Sequence, residues 1–352
     1  MIVSLSAEAP STTARDLLAA ALAAGMEARG MDDGHGGTVI GVDGSLPDDV
    51  LGLPGIRAVH PTHKPYMLAS REHRPHAPTI VKVGDVRIGG GRPVMMAGPC
   101  VVEGRESLLE TADAVKAAGA DILRGGAFKP RTSPYAFQGL GEEGLRFLAD
   151  AREATGMPIV TEVMEPDQVD LVARYADILQ IGARNMANFP LLRRVGATDQ
   201  AVLLKRGFSA TVEEWLMSAE YVMASGNSRV ILCERGIRGF DPALRFTLDL
   251  SAVPLAKELT HLPVIVDPSH GTGKRSLVGR MAMAGLAAGA DGLIIEVHPD
   301  PEHARCDAAQ TISPVELARI SRSGRALYAA LVETSDVMIE PSPGRDSLAL
   351  AV

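Results

Sequence analysis

The feature that most constrains the fold of this chain is a regular alternation of strand-like and helix-like segments from Pro93 onward. Short runs rich in Val, Ile and Leu are each followed by a segment with helical apolar spacing. Such alternation is typical of parallel βα units, because a parallel pair of strands needs a crossover connection. The predicted strands are Val94–Ala97, Ile122–Arg124, Ile159–Glu162, Ile178–Ile181, Val202–Lys205, Val230–Cys233, Val264–Val266 and Gly292–Glu296.

Eight strands with eight following helices predict a closed (β/α)8 TIM barrel, an α/β fold, over residues 93–335. The last helix is predicted to run from Pro314 to about Glu333. A doubly wound open sheet is the alternative that the same alternation allows. Residues 336–352 are polar and contain Pro and Ser, which predicts a flexible tail.

The chain of 352 residues is longer than a barrel of about 250 residues requires, and the excess lies before the first barrel strand. Residues 1–62 predict a β-α-β-β-α-β order, which is the ferredoxin-like arrangement of a small α+β domain. Residues 63–92 predict a linker and then a β-hairpin, in which Thr79–Val83 and Val86–Ile88 flank Gly84-Asp85. We expect this hairpin to close one end of the barrel.

The charge and the cysteine content limit the partners and the compartment. A formal net charge of −8 argues against nucleic acid or an anionic membrane as a partner, although a basic pocket can still bind small anions. Cys100, Cys233 and Cys306 form no CxxC pair and are odd in number, which argues against a disulfide framework. The chain shows neither a signal-peptide pattern nor a membrane-spanning stretch, so we expect a cytoplasmic protein.

Charged or metal-binding side chains follow the predicted strands at the point where each strand ends. In barrel enzymes the catalytic residues lie at this carboxyl-terminal face. Any one of them alone is more simply explained as a structural residue, but their occurrence at every strand end favours a single site. They are Cys100, Arg124, Lys129, Glu162, Arg184, Lys205, Arg235, His270, Glu296 and Asp307.

These residues form two groups by chemistry. Several cations in one cavity would repel each other unless anions filled it, which predicts ligands with phosphate and carboxylate groups. A thiol, an imidazole and two carboxylates suit Mn²⁺, Fe²⁺, Co²⁺ or Zn²⁺ better than Mg²⁺. The cationic group is Arg124, Lys129, Arg131, Arg184, Lys205 and Arg235, and the metal-binding group is Cys100, His270, Glu296 and Asp307.

The run His270-Gly-Thr-Gly-Lys-Arg-Ser resembles a phosphate-binding P-loop only superficially. The P-loop pattern needs a Gly five residues before its second Gly and a Ser or Thr directly after the Lys. Here that first Gly is missing and Arg275 follows Lys274. We interpret the run as a βα connection of the barrel.

All of the strand-end residues except Glu162 and Asp307 lie in the motifs Ala97-Gly-Pro-Cys100, Leu123-Arg-Gly-Gly-Ala-Phe-Lys-Pro-Arg-Thr-Ser133, Gln180-Ile-Gly-Ala-Arg-Asn185, Leu204-Lys-Arg-Gly207, Leu232-Cys-Glu-Arg-Gly236, Asp267-Pro-Ser-His270 and Glu296-Val-His-Pro299. Taken together, these motifs are highly specific for one protein family. The chain resembles 3-deoxy-D-arabino-heptulosonate 7-phosphate (DAHP) synthase, in the short-barrel type I beta subgroup with an N-terminal ferredoxin-like domain. The resemblance extends from Met1 to about Glu333.

The resemblance implies a transferase that condenses phosphoenolpyruvate with erythrose 4-phosphate and water, releases phosphate and begins the shikimate pathway of aromatic amino acid biosynthesis. It implies a divalent metal cofactor (Mn, Fe, Co or Zn) bound by Cys100, His270, Glu296 and Asp307. It implies phosphoenolpyruvate binding by Arg124, Lys129, Arg184, Lys205 and Arg235, and aldose phosphate binding by Arg131 and Thr132. The implied catalytic residues are Lys129, Cys100, His270 and Glu162. A homo-oligomer (dimer or tetramer) is expected, and chorismate mutase stays open as a partner.

One departure from the family concerns regulation. The segment Asp43–Gly55 is shorter than the second helix of the family's regulatory domain with its lead-in, which predicts weak or absent feedback inhibition. Lys274 stands where the family often has Arg, and Cys306 stands where it commonly has Ser. Neither of these two changes affects the core chemistry.

Three alternatives to this function remain. The sister eight-carbon sugar acid synthase uses arabinose 5-phosphate, but the Lys129-Pro-Arg-Thr132 run and the N-terminal domain favour the four-carbon aldose. A paralogue in a specialised pathway would use another phosphorylated aldose. A catalytically silent regulatory barrel would have lost a metal ligand or a phosphate-binding cation, and the sequence retains the whole set.

Overall fold

The structure is a computed structural model that describes residues 1–32, 37–60, 64–75, 77–129, 135 and 137–333. Two predicted substrate-binding residues, Arg131 and Thr132, lie outside the described residues, as does the predicted tail at 336–352. Within the described part, no helix combines the length and the apolar character that crossing a membrane requires.

The N-terminal residues form a small antiparallel sheet with two helices, which confirms the ferredoxin-like element order. The elements are β1 (Ile2–Leu5), α1 (Ser11–Ala23), β2 (Ala28–Asp32), β3 (Thr38–Val42), α2 (Asp48–Leu51) and β4 (Ile56–His60). The strands lie in the order β2-β3-β1-β4, with Val3 opposite both Ile40 and Val59. Leu17 and Ala21 of α1 pack on Val3 and Ile40, so one face of the sheet carries its own core.

The segment after this sheet, which the sequence predicts as a linker, packs firmly on the barrel. Leu68 and Ala69 belong to the same buried cluster as the barrel helices. Their backbone N–H groups donate to the carboxylate of Glu220 at 2.9 and 2.8 Å. Ser70 forms a bridge with Thr260 at the other side of the segment. Residues 64–75 therefore pack as part of the barrel, although they precede its first strand in the sequence.

The predicted hairpin, β5 (Val81–Val83) and β6 (Val86–Ile88), closes one end of the barrel. Val81, Val83 and Ile88 belong to the same buried cluster as residues inside the barrel. Two of those interior residues, Val94 and Ile122, stand at the starts of their strands. The hairpin thus covers the amino-terminal end of the barrel and leaves the opposite end free for a site.

The remaining strands form a closed parallel barrel, which confirms the predicted architecture and excludes the open sheet. Its order is β10-β11-β12-β13-β14-β7-β8-β9, with each neighbour in parallel register. The strands are β7 (Val94–Gly98), β8 (Ile122–Arg124), β9 (Ile159–Glu162), β10 (Ile178–Ile181), β11 (Ala201–Lys205), β12 (Val230–Glu234), β13 (Val264–Val266) and β14 (Gly292–Glu296).

An α-helix follows each barrel strand, the connection after β13 carries an additional short α-helix, and those after β9 and β10 each carry a short 3-10 helix (Pro166–Gln168 and Ala183–Asn185). The helices are α3 (Arg105–Ala117), α4 (Glu142–Thr155), α5 (Val169–Ala173), α6 (Phe189–Gly196), α7 (Val212–Ala224), α8 (Ala252–Leu259), α9 (Pro268–Thr272), α10 (Arg275–Ala287) and α11 (Pro314–Glu333). The short helix α9 lies between β13 and α10, in the run that superficially resembles a P-loop. This run is a βα connection, as the sequence predicts.

The side-chain alternation of the strands explains which residues reach the barrel mouth. Successive side chains of a strand point to opposite faces, so residues two apart share a face. Ile122, Val160, Leu203 and Ile294 pack inside the barrel. Arg124, Glu162, Lys205 and Glu296 each stand two positions later, at the carboxyl-terminal ends of the strands. Their side chains therefore point into the open end of the barrel.

Candidate active site

A cavity of about 330 Å³ opens at the carboxyl-terminal end of the barrel. Most of the predicted site residues line it, and its lining contains more cations than carboxylates. Glu296 is fully buried and stands behind the lining, within ion-pair distance of Arg124. The charged residues that line the cavity are Arg124, Lys129, Arg184, Lys205, Arg235, Arg245, Glu162 and Asp307.

The candidate metal ligands lie close together on one side of this cavity. The Sγ atom of Cys100 and one carboxylate oxygen each of Glu296 and Asp307 all lie within 4.8 Å of one another. The Nε2 atom of His270 is 3.3 Å from Oε1 of Glu296 and 3.9 Å from Oδ2 of Asp307. A thiol, an imidazole and two carboxylates at these separations fit a borderline divalent transition metal ion.

The imidazole of His270 is oriented by Asp267. Oδ2 of Asp267 lies 2.8 Å from Nδ1 of the ring, and Oδ1 accepts the backbone N–H of His270 at 2.9 Å. Lys205 donates to the same carboxylate at 2.5 Å. Burial lowers the pKa of His270, although Asp267 and Glu296 act against this, and a lowered pKa favours the neutral ring. With Nδ1–H donated to Asp267, Nε2 presents a lone pair to the candidate metal site.

Asp307 holds its carboxylate in the cluster through a rare backbone conformation. Its φ of 51° is the only positive φ of a non-glycine residue in the described part of the chain. The carboxylate faces Lys129, His270 and Arg245, and the positive charge of Lys129 is the main cause that holds its pKa below the usual range although burial opposes this. Backbone strain of this kind is concentrated at functional sites, which supports a role for this carboxylate.

Cys100 and Lys129 contact each other directly. The ammonium Nζ lies 2.7 Å from Sγ of Cys100 and 3.1 Å from Oδ2 of Asp307. Cys306 lies in the same small buried cluster as Cys100, and its hydrogen bond together with burial raises the pKa of the Cys100 thiol. A thiol with a raised pKa releases its proton when a nearby cation compensates the charge, which is the behaviour of a metal-binding cysteine.

The deepest cations carry hydrogen-bonding capacity that the protein leaves unused. Arg124 donates to the carbonyl of Pro99 at 2.9 Å and to Glu296 at 3.2 Å, yet its buried Nε has no partner within the described residues. The buried Nη1 of Arg235 has none in the same part of the chain. Buried donors normally find partners, so these atoms indicate an anionic ligand in the cavity.

Two stacked phenylalanine rings support the arginines at the cavity wall. The rings of Phe208 and Phe246 lie 5.0 Å apart and nearly parallel. The guanidinium carbon of Arg235 is 4.1 Å from the centroid of Phe246, and that of Arg184 is 5.4 Å from the centroid of Phe208. Cation–π contacts of this geometry hold guanidinium groups without neutralising their charge. Sequence analysis missed both rings, because they lie in loops with no strand periodicity.

Glu162 lies on the cavity wall with a partner that sequence analysis also missed. Gln180, two positions after an interior residue of the next strand, donates to Oε2 of Glu162 at 3.1 Å. A Cβ atom at Gly182 would lie 2.1 Å from Oε1 of Glu162, so only glycine leaves room for the carboxylate. Side-chain alternation along β10 could have placed Gln180 at the cavity, but its uncharged amide did not mark it as a site residue.

The chain matches the sequence profile of the DAHP synthetase I family over residues 69–332. It is 52% identical over 279 residues to the phospho-2-dehydro-3-deoxyheptonate aldolase of Thermotoga maritima, which covers 78% of this chain and 82% of that protein. The chain belongs to the DAHP synthetase I family. The crystal structure of the Thermotoga maritima DAHP synthase aligns with 94% of this chain and 97% of its own, with a TM-score of 0.75 and 46% identity.

More distant relatives of the chain carry another name. The 2-dehydro-3-deoxyphosphooctonate aldolase of Syntrophotalea carbinolica is 35% identical over 255 residues, which cover 67% of this chain and 91% of that protein. The greater identity to the heptonate enzyme is consistent with the resemblance drawn from the motifs. With this family membership, the chain is an aldolase-type transferase.

The structure brings together most of the side chains that the sequence predicted. Arg131 and Thr132 lie outside the described residues, so their place in the site stays a prediction. Two further residues of the site were missed, Arg245 at the cavity wall and Gln310 beside the carboxylate cluster. Both lie in long loops, and neither follows a barrel strand directly.

Proposed function

We propose that this enzyme condenses phosphoenolpyruvate with erythrose 4-phosphate and water to give DAHP and phosphate, the first step of the shikimate pathway. The observation that carries the proposal is a single cavity in which a metal-binding cluster and a group of excess cations face each other. Two phosphorylated substrates, one of them also a carboxylate, match this surplus of positive charge. The heptonate aldolase name of the similar Thermotoga maritima enzyme supports the same reaction.

Phosphoenolpyruvate would occupy the deep cationic part of the cavity. The unused donors of Arg124 and Arg235 would bind its carboxylate and phosphate, together with Lys205 and Arg184. Fixing both anionic groups orients the enol carbon C3 toward the second substrate, and such positioning can lower the barrier by several kcal/mol. Arg131 and Thr132 would bind the phosphate of the aldose.

Bond formation joins C3 of phosphoenolpyruvate to C1 of the aldose. A divalent metal ion bound by Cys100, His270, Glu296 and Asp307 would act as a Lewis acid on the aldehyde oxygen. Lys129 would donate a proton to that oxygen as the new C–C bond forms, because its ammonium group lies within the ligand cluster. The positive charge that develops at C2 is then removed by water, and the C–O bond to phosphate breaks.

Glu162 would act on the water that adds at C2. Its carboxylate lies on the cavity wall and is held by Gln180 and by the close backbone of Gly182. A fixed carboxylate can orient a water molecule and accept its proton.

Substrate choice provides the first test of the proposed function. With phosphoenolpyruvate and a divalent metal ion, erythrose 4-phosphate is expected to exceed arabinose 5-phosphate in kcat/KM by about a hundredfold or more, because the cavity must exclude an additional hydroxymethylene unit. The measurement is steady-state loss of the enol absorbance, with phosphate release as a second assay, over a panel of phosphorylated aldoses.

A preference for arabinose 5-phosphate in that panel would assign the chain to the octonate branch of the family. A preference for a third aldose would identify a paralogue of a specialised pathway. Incubation with each aldose in the absence of phosphoenolpyruvate is the matched control, because any phosphate released there comes from another activity.

The N-terminal domain leads to a second prediction. Helix α2 contains only four residues, which is consistent with the shortened segment noted in the sequence. We expect tyrosine and phenylalanine to inhibit the enzyme weakly or not at all, because gating needs a ligand that binds one domain arrangement better than another. Each amino acid is titrated against the intact enzyme and against a truncated variant that begins at Lys64, which keeps the segment that packs on the barrel.

Strong inhibition of the intact enzyme that disappears in the truncated variant would contradict this prediction.

The homo-oligomer (dimer or tetramer) is part of the same proposal, and light scattering of the intact and truncated proteins measures it. Co-purification of this enzyme with chorismate mutase would test whether the two proteins bind each other.

A further inference from the structure

The long connection between β12 and α8 folds back over the cavity as a hairpin. Ile237 and Thr247 pair across its base, and the backbone N–H group of each donates to the carbonyl of the other at 2.9 Å. Phe240 near its tip is fully exposed. The returning segment of this hairpin carries Arg245 and Phe246 to the cavity. None of the residues assigned to substrate binding lies in this hairpin.

Arg245 is linked to the metal-binding cluster through one carboxylate and one amide. Its Nη1 lies 3.4 Å from Oδ1 of Asp307 and 3.1 Å from Oε1 of Gln310. Gln310 is buried and donates through Nε2 to Oε2 of Glu296 at 2.6 Å. Arg245 therefore contacts one candidate ligand directly and another through a buried amide, while its side chain remains 42% exposed at the cavity.

The loop that superficially resembles a P-loop accommodates this arginine. Gly273 has a φ of 67°, and a Cβ atom there would lie 2.6 Å from Cβ of Arg245. A Cβ atom at Gly271 would lie 2.6 Å from Cδ1 of Leu248, on the same hairpin connection. Two glycines of the His270–Lys274 run thus leave room for the hairpin, which explains the run without any phosphate-binding loop.

Arg245 and Arg235 face the same part of the cavity. Both guanidinium groups contact the ring of Phe246, at 5.7 and 4.1 Å from its centroid. Burial lowers the pKa of Arg235, and the charge of Arg245 acts in the same direction against the opposite effect of Asp267. Arg235 also has the buried Nη1 without a partner in the described part of the chain. Two cations that repel each other beside an unused donor indicate a shared anion.

We propose that Arg245 is a further substrate-binding residue, which together with Arg235 holds the phosphate group of phosphoenolpyruvate. This inference rests on the proposed function. The phosphate bound is that of phosphoenolpyruvate and not that of the aldose, because Arg235 belongs to the deep cationic group and both arginines contact the ring of Phe246. The link through Gln310 to Glu296 would join phosphate binding to the metal-binding cluster.

The test compares Arg245→Ala with the intact enzyme. We expect the KM for phosphoenolpyruvate to rise about tenfold to a hundredfold, the range for loss of one charged hydrogen bond. The KM for erythrose 4-phosphate should change less than about threefold, and Arg245→Lys should recover part of the loss because it keeps the charge. Calorimetric titration of phosphoenolpyruvate in the presence of Mn²⁺ should show the same loss of affinity without turnover.

Arg238→Ala is the matched control, because Arg238 is an exposed arginine of the same hairpin that does not line the cavity. Its KM values should equal those of the intact enzyme. A rise confined to the KM for erythrose 4-phosphate, or unchanged phosphoenolpyruvate binding in Arg245→Ala, would overturn the inference. Failure of the intact enzyme to consume phosphoenolpyruvate with erythrose 4-phosphate would instead refute the proposed function, so the two failures are distinguishable.

Discussion

Replacing Cys100 with alanine is expected to lower kcat/KM by about a thousandfold or more, because a Lewis acid contributes several kcal/mol to transition-state stabilisation. Removal of divalent metal from the intact enzyme with a chelator should have the same effect, and added Mn²⁺ or Co²⁺ should restore turnover. The Cys100→Ala variant should recover little under the same additions. Turnover is measured together with metal content by mass spectrometry and metal affinity by calorimetry.

The fold should survive this substitution. Cys100 is buried in a small cluster with Val101 and Cys306, so the loss of one sulfur atom is expected to cost no more than about 1–2 kcal/mol of stability. Cys233→Ala is the matched control, because Cys233 is a buried free cysteine inside the same barrel that contacts none of the candidate ligands. It should lose a similar amount of stability and keep its activity and its metal.

A Cys100→Ala variant that turns over normally in chelator would refute the metal assignment. Retained metal content with lost turnover would assign Cys100 a role in the reaction but not in metal binding. Thermal unfolding of both variants, followed by circular dichroism, separates either result from a loss of folding.

The barrel could be predicted from the sequence because its signal is periodic and repeated. Five of the eight predicted strands match the structure residue for residue, among them Ile122–Arg124 and Gly292–Glu296, and the rest differ by one residue at an end. Parallel strands buried on both faces produce continuous Val, Ile and Leu runs, which are hard to confuse with surface segments. Side-chain alternation then places Arg124 and Glu296 at one end of the barrel without any knowledge of loops.

The loops could not be predicted in the same way. Arg245 and Gln310 reach the cluster through a folded-back hairpin and a turn after β14, and neither conformation has a repeating pattern. Asp307 was predicted from its place after the last barrel strand, but the positive φ with which its side chain reaches the ligands is not revealed by sequence spacing. The packing of Leu68 and Ala69 on Glu220 was missed for a related reason, because it joins residues about 150 positions apart.

The electrostatic arrangement explains why so many charges can coexist in one cavity. Lys205 is paired with Asp267, which in turn orients His270, so this cation also stabilises a metal-binding geometry. Arg206 points the other way and pairs with Glu234 and Asp249 outside the cavity. The neighbouring residues Lys205 and Arg206 thus serve the site and the scaffold respectively, as expected for adjacent positions of a chain leaving a strand.

Replacing Lys129 with alanine is expected to lower kcat by about 10²- to 10⁴-fold, the usual range for loss of a general acid or base. Lys129 is positioned for this role because its Nζ contacts both Cys100 and Asp307, at the side of the cavity where the aldehyde oxygen would bind. If it acts only in the transition state, kcat and kcat/KM for erythrose 4-phosphate should fall together. Added ethylammonium should restore part of the lost kcat, because it can supply the missing proton donor.

Arg184→Ala provides the comparison for this prediction. Arg184 lines the same cavity, but it is exposed and rests on Phe208 without contacting the ligand cluster. Its loss should therefore raise the KM for phosphoenolpyruvate about tenfold and leave kcat nearly unchanged, with no response to ethylammonium. If Lys129→Ala instead shows a raised KM with full kcat, Lys129 binds substrate and donates no proton. The proton must then come from another group at the cavity, and the proposed mechanism loses its general acid.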